Sequence, residues 1–157
     1  MTTKNFLPIA IDISNEKILI IGGGQSAWNK IRILQRFSAN VEVIAQVVCH
    51  EIKQSGIPYR IKAYEPDDLN GYLMLYSCTN NPSLDRQIVQ DARKAKVLAN
   101  IHDHPALCGF VSPAIYQKEH LRIAVSSNGE DVYGAIRTRN IIRDYFDNQS
   151  NNIRLIQ

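Results

Sequence analysis

Lys17-Ile18-Leu19-Ile20-Ile21-Gly22-Gly23-Gly24-Gln25-Ser26-Ala27 is the stretch whose reading settles the fold. Its first five residues are a short, continuous, β-branched run, the pattern of a strand buried on both faces in a parallel sheet. Three glycines follow at once. Beyond them Ala27, Trp28, Ile31, Ile33, Leu34 and Phe37 recur at roughly helical spacing. A strand, a glycine turn and a helix in direct succession form the first part of a βαβ unit. Val41-Glu42-Val43-Ile44-Ala45 supplies its second strand.

The turn carries a chemical expectation as well. A dinucleotide pyrophosphate needs a tight turn, a close backbone approach and a helix N-terminus aimed at its charge. Gly22, Gly24 and Ala27 occupy the G-x-G-x-x-G/A positions that meet these needs, with Gly23, Gln25 and Ser26 completing the loop. The plain alternative is a tight strand-to-helix turn that holds no ligand. The acidic residue that often ends the second strand and binds the ribose hydroxyls is absent. Ala45-Gln46 stands there, so Gln46 is the candidate for the ribose, and the residues leave NAD versus NADP open.

Working outward, residues 7–12 read as a strand before the turn residues Ser14-Asn15-Glu16. Residues 47–54 read as a short helix, 59–62 as a strand and 72–78 as a buried strand. A helix over 83–95 follows the turn Asn80-Asn81-Pro82, and Val97-Leu98-Ala99 ends this alternating series. His104-Pro105 breaks the chain. Two further strands are predicted over 110–116 and 121–126, then a turn at Asn128-Gly129. A helix over 133–147 follows, with an apolar stripe of Ile136, Ile141, Ile142, Tyr145 and Phe146, and a polar tail fraying from Asn148.

Length and composition limit the function. A chain of 157 residues holds one domain, or one domain and a small appendage. Hydrophobic residues at 45% and charged residues at 21% are those of a soluble globular protein. A formal charge of +3 without any Lys/Arg-rich run gives no strong argument for nucleic acid, so none is expected as a partner, and it mildly favours an anionic ligand. The opening Met1-Thr2-Thr3-Lys4-Asn5 lacks the features of a signal peptide, and no apolar run reaches the length of a membrane span. Cys49, Cys78 and Cys108 are odd in number and widely spaced, which reads as reduced, partly buried thiols in a cytoplasmic protein.

Six pieces in order resemble the precorrin-2 dehydrogenase / sirohydrochlorin ferrochelatase family, also seen as the N-terminal part of sirohaem synthases. Phe6-Leu7-Pro8-Ile9 with Asp12 resembles that family's opening strand. Ile20-Ile21-Gly22-Gly23-Gly24, with Ala27 and Lys30, resembles its G-G-G-x-x-A-x-x-K turn and helix. Cys78-Thr79-Asn80-Asn81 resembles A-T-[ND]-[ND], and Asn100-Ile101-His102-Asp103 resembles N-x-x-D. Phe110-Val111-Ser112-Pro113-Ala114 resembles F-x-x-P-[AS], and Ile123-Ala124-Val125-Ser126-Ser127-Asn128-Gly129 resembles I-A-[VI]-S-[ST]-x-G. The match spans about residues 6 to 147. Each motif is loose alone, and the ordered set is fairly specific.

The resemblance implies an α/β fold: a Rossmann-type parallel sheet with helices on both faces, then a small α+β dimerisation region. Residues 1–109 are expected to form the NAD-binding domain and 110–157 the dimerisation region of a homodimer. It implies NAD-dependent oxidation of precorrin-2 to sirohydrochlorin in a cytoplasmic enzyme, and in many members insertion of ferrous iron. Asp103 takes the place of the family's key carboxylate, and Ser127 that of the serine of its S-x-G segment. Thr79 and Asn80, at a strand's carboxyl end, are candidates for a cofactor ribose. Arg137 and Arg139, near Ser127, are candidates for the substrate's carboxylates. His102 and His104 alternate with Asp103 along the chain, which argues against joint ligation, so no metal site is expected. Three departures stand out. Glu130-Asp131-Val132 replaces the family's x-Ser-Pro, Ile136 replaces an arginine, and the family's C-terminal helical domain has no counterpart before Gln157. These keep a second reading in view: a non-catalytic or partner-dependent dinucleotide-binding module.

Overall fold

The computed structural model describes residues 4–153. Its seven strands and four helices fall into two compact units. One runs from Ile9 to Phe110. The other joins the described residues up to Pro8 to those from Val111 onward.

The first unit is an open parallel sheet. β1 (Lys17–Ile21), β2 (Asn40–Ala45), β3 (Tyr59–Ile61), β4 (Met74–Ser77) and β5 (Leu98–Ile101) lie in the order β3-β2-β1-β4-β5. Every pairing is parallel. β1 shows why its sequence does not alternate. Ile18 and Ile20 point into a core shared with α1 (Gln25–Gln35) and α2 (His50–Gln54), where Ala27, Ile31, Leu34 and Ile52 are buried. Leu19 and Ile21 point the other way, into a core closed by Ile88 and Ala92 of α3 (Pro82–Ala95). Both faces are covered, so every position from Ile18 to Ile21 must be apolar. Each such side chain, fully buried, stabilises the unit by about 1.5–3 kcal/mol.

In the second unit β6 (Ala114–Lys118) and β7 (Leu121–Val125) form an antiparallel hairpin, and α4 (Val132–Ile153) packs on it. Tyr116 stacks on Phe146, with ring centroids 6.1 Å apart, and its hydroxyl donates to Asp147 at 2.9 Å. Asn128 closes the unit: its amide donates to the Lys4 carbonyl at 2.7 Å and accepts from the Phe6 N–H at 2.8 Å.

Several sequence expectations need correction. Residues 7–12 form no strand; Leu7 and Ile9 are 81% and 68% exposed, and no strand among the described residues pairs with the segment. β6 starts at Ala114 rather than at Phe110. Pro113 cannot donate to a ladder, and Phe110 instead packs edge-on against Tyr76 in the first unit. α2 starts at His50, because the preceding loop is pinned to the glycine turn by the Cys49 N–H, which donates to the Gly23 carbonyl at 2.7 Å. α4 continues to Ile153, through the polar segment expected to fray. Ile33, expected on the apolar face of α1, is 43% exposed.

Candidate functional site

The sheet order reverses between β1 and β4, and in open α/β sheets a ligand crevice forms outside the strands' carboxyl ends at such a point. A cleft of about 630 Å³ opens there. It is lined by the glycine turn with Gln25 and Ser26, by Gln46 beyond β2, by Lys62 and Tyr64 beyond β3, and by Cys78 to Asn81 beyond β4. The structure therefore brings Gly22, Gly23, Gly24, Gln25, Ser26, Gln46, Thr79 and Asn80 to one cleft. Ala27 lies fully buried beneath, where only a small residue lets α1 sit against the strands.

The three glycines are held differently. Gly22 has φ +115°, and an added Cβ would stand 2.3 Å from the Cys78 carbonyl oxygen. That crowding follows from its place in the sheet: the Gly22 N–H donates to Ile44 at 2.8 Å and the Cys78 N–H to Ile21 at 2.7 Å. A Cβ on Gly23 would meet the Val47 carbonyl oxygen at 2.2 Å. At Gly24 no atom of the described residues, its chain neighbours aside, lies within 4 Å of where a Cβ would be. Gly24 is also the N-cap of α1, and no side chain caps that end. The helix therefore presents its first backbone N–H groups to the cleft, a donor set suited to an anion.

The opposite wall is built on Asp85. Buried at 3% exposure, its carboxylate accepts from Ser77 at 2.6 Å and from Thr79 at 2.8 Å. The Thr79 hydroxyl accepts in turn from the Asn81 N–H at 3.1 Å. Asn81 caps α3, accepting from Ser83 and Leu84 at 3.1 and 3.2 Å. Asn80 sits at φ 56° between them. Burial pushes the Cys78 thiol up to about 11, against the downward pull of the Lys30 charge. Lys30 has its ammonium 4.7 Å from the centre of the Tyr76 ring. Burial draws it below the ordinary lysine value, opposed by Cys78, Cys108 and Asp103.

Asp103 is the second residue beyond β5. It is exposed, at φ 59°, with its carboxylate 3.4 Å from His102 Nε2. His104 is exposed as well. Among the described residues no three His, Cys, Asp or Glu side chains are arranged to hold a metal ion. In the second unit the Ser127 hydroxyl accepts from the Asp131 N–H at 2.9 Å. Asp131 accepts from the Gly134 N–H at 2.7 Å and so caps α4, where the family pattern has Ser-Pro. Arg137 lies 3.7 Å from the Asp131 carboxylate. Arg139 donates to the Ile115 carbonyl at 3.2 Å and braces α4 on β6.

Sequence reasoning missed Lys62 and Tyr64. Lys62 immediately follows a short strand, and every residue in that position of a parallel sheet opens on the same edge; that was the available signal. The Lys62 N–H donates to Ala45 at 3.1 Å, which sets it beside the end of β2.

Comparison with known proteins agrees with this geometry. A family described as "Putative NAD(P)-binding" matches residues 9–114. The siroheme synthase of Buchnera aphidicola subsp. Acyrthosiphon pisum (strain APS) is 37% identical over 129 residues, covering 80% of this chain and 27% of its own length. That of Vesicomyosocius okutanii subsp. Calyptogena okutanii (strain HA) is 34% identical over 130 residues, covering 80% and 28%. The chain thus spans under a third of these relatives. The solved structure of SirC, precorrin-2 dehydrogenase, superposes with a TM-score of 0.72 at 19% identity, over 89% of this chain and 71% of that one, so the two share a fold.

Proposed function

The chain belongs to the NAD(P)-binding family matched over residues 9–114, and from that premise we propose that it is an NAD-dependent precorrin-2 dehydrogenase, which oxidises precorrin-2 to sirohydrochlorin. The observation that carries the cofactor assignment is Gly24. Among the described residues beyond its chain neighbours its missing side chain spares no atom, so the space it leaves serves a ligand lying against the backbone. The names of the siroheme synthase relatives support the substrate.

When bound, the dinucleotide supplies a hydride acceptor. The remaining work belongs to the chain. Gly22 to Gly24 and the N-terminus of α1 hold the pyrophosphate, with Gln25 and Ser26 beside it. Gln46 takes a ribose at the end of β2, and Thr79 and Asn80 contact ribose from the end of β4. The reaction removes a hydride and a proton from the substrate, giving sirohydrochlorin, the reduced dinucleotide and H⁺. The exposed Asp103 carboxylate accepts the proton. Ser127, Arg137 and Arg139 are assigned to the carboxylates of the tetrapyrrole. We assign the outer face of α4 to a second copy of the chain, and the protein to the cytoplasm, where its three free cysteines stay reduced. Among the described residues no helix is long and apolar enough to cross a membrane.

The test is anaerobic incubation with precorrin-2 and NAD, following sirohydrochlorin by its absorbance. NAD-dependent product is expected, lost in Asp103→Asn while NAD still binds; asparagine tolerates the φ of 59° there. Full activity in the variant removes Asp103 from the proton step. No product from the wild type with NAD bound moves the reading to a non-catalytic or partner-dependent dinucleotide-binding module.

A further inference from the structure

Among the described residues that line the cleft, only Lys62 carries a charge. Lys62 stands at the end of the cleft that would receive the adenosine ribose. It follows β3, whose register pairs Ile61 with Ala45, and its N–H bonds the Ala45 carbonyl, so it flanks Gln46. Dinucleotide sites exclude NADP by ending the second strand with a carboxylate, which binds the ribose diol and repels a 2′-phosphate. Here the strand ends on an exposed amide, and the neighbouring charge is positive.

The cation is held in place. Its ammonium lies 2.6 Å from Glu65 and 3.0 Å from Asp68, and Asp68 is also 3.0 Å from the Arg60 guanidinium. The hydrogen bonds that Lys62 donates to Glu65 and Asp68 raise its pKa, so it stays charged wherever the protein is folded near neutrality. Two cations balance two carboxylates, so the cluster does not pull strongly on a phosphate. The Glu65 side chain is 69% exposed, however, and an ion pair so open to water is worth little, so the ammonium turns that donor to a further oxygen when one is bound.

Resting on the dinucleotide reading above, we infer that Lys62 sets cofactor selectivity: it donates to the 2′-phosphate of NADP, so the cleft accepts NADP alongside NAD. Parity rather than preference is the consequence of the neutral cluster.

Calorimetric titration of the full chain with NAD and with NADP tests this directly. NADP is expected to bind within about tenfold of NAD. Lys62→Gln should lower the NADP-to-NAD affinity ratio by about tenfold or more. Gln46→Asp, at an exposed position, should lower it similarly by restoring the missing carboxylate. The ratio is unaffected by partial unfolding, since both ligands lose the same sites. A wild type that favours NAD by more than about tenfold, or a ratio unchanged in Lys62→Gln, overturns the inference. Binding of neither dinucleotide overturns the dinucleotide reading itself, whereas binding of NAD alone overturns only the role given to Lys62.

Discussion

A side chain at Gly22 or Gly23 would collide with backbone carbonyl oxygens of neighbouring segments, whereas one at Gly24 would collide with nothing among the described residues. This difference separates folding from binding within three consecutive residues. Gly23→Ala forces the 2.2 Å approach to Val47 apart and should cost about 2–3 kcal/mol of stability. Gly24→Ala loses at most about 1 kcal/mol, the cost of an alanine N-cap. It should nevertheless weaken dinucleotide binding by about tenfold or more, because its methyl occupies the ligand's space. Chemical denaturation and calorimetric titration of the two variants give the comparison. Unchanged affinity in Gly24→Ala would remove the pyrophosphate from this turn. A charged substitution at Gly22 would test less cleanly, since φ +115° and the Cys78 carbonyl make it a folding variant first.

Among the elements, α3 shows how a wall of the cleft is positioned. Proline at its first position fits a helix start, because the missing N–H would have had no partner there. Asn81 takes two of the remaining N–H groups, and Asp85, one turn in, fixes the hydroxyls of Ser77 and Thr79. The helix therefore starts where it does because the cleft segment caps it. Asn81→Ala should destabilise the protein by about 1 kcal/mol in urea unfolding. No change would show that the proline and Asp85 hold the helix end without the cap. α1 has the opposite design: Gly24 offers no capping side chain, and its end stays available to an anion. Both helix starts were visible as residue patterns. The link between Asp85 and Thr79 was not, since a buried aspartate inside a helix reads as an ordinary surface residue until β4 is packed beneath it.

For the molecule as a whole, α4 carries an unusual surface. Tyr133, Ile141 and Tyr145 are 76%, 71% and 61% exposed, and their spacing of eight and four residues puts them within one stripe of the helix. Phe146, by contrast, is partly spent on Tyr116 inside the unit. With the stripe assigned to a second copy, sedimentation should find a dimer, and Ile141→Asp should shift it toward monomer without lowering the unfolding temperature of the first unit. A wild-type monomer would overturn that assignment.

The chain's local patterns were enough to read β1, the glycine turn, α1 and the alternation that follows, because a strand buried on both faces and a helix buried on one stripe leave different periodicities. The Gly22-Gly24-Ala27 spacing was readable for the same reason: its chemistry is local to one turn. The apolar text of residues 7–12 misled, because burial depends on a partner that periodicity does not supply, and Leu7 and Ile9 stay exposed among the described residues. Lys62 and Tyr64 became part of the cleft only through the order β3-β2-β1-β4-β5, which sets the end of an edge strand beside Gln46, sixteen residues earlier in the case of Lys62. Such neighbours are made by sheet pairing across long loops, and that information lies in the packing of the strands rather than in any short stretch of the chain.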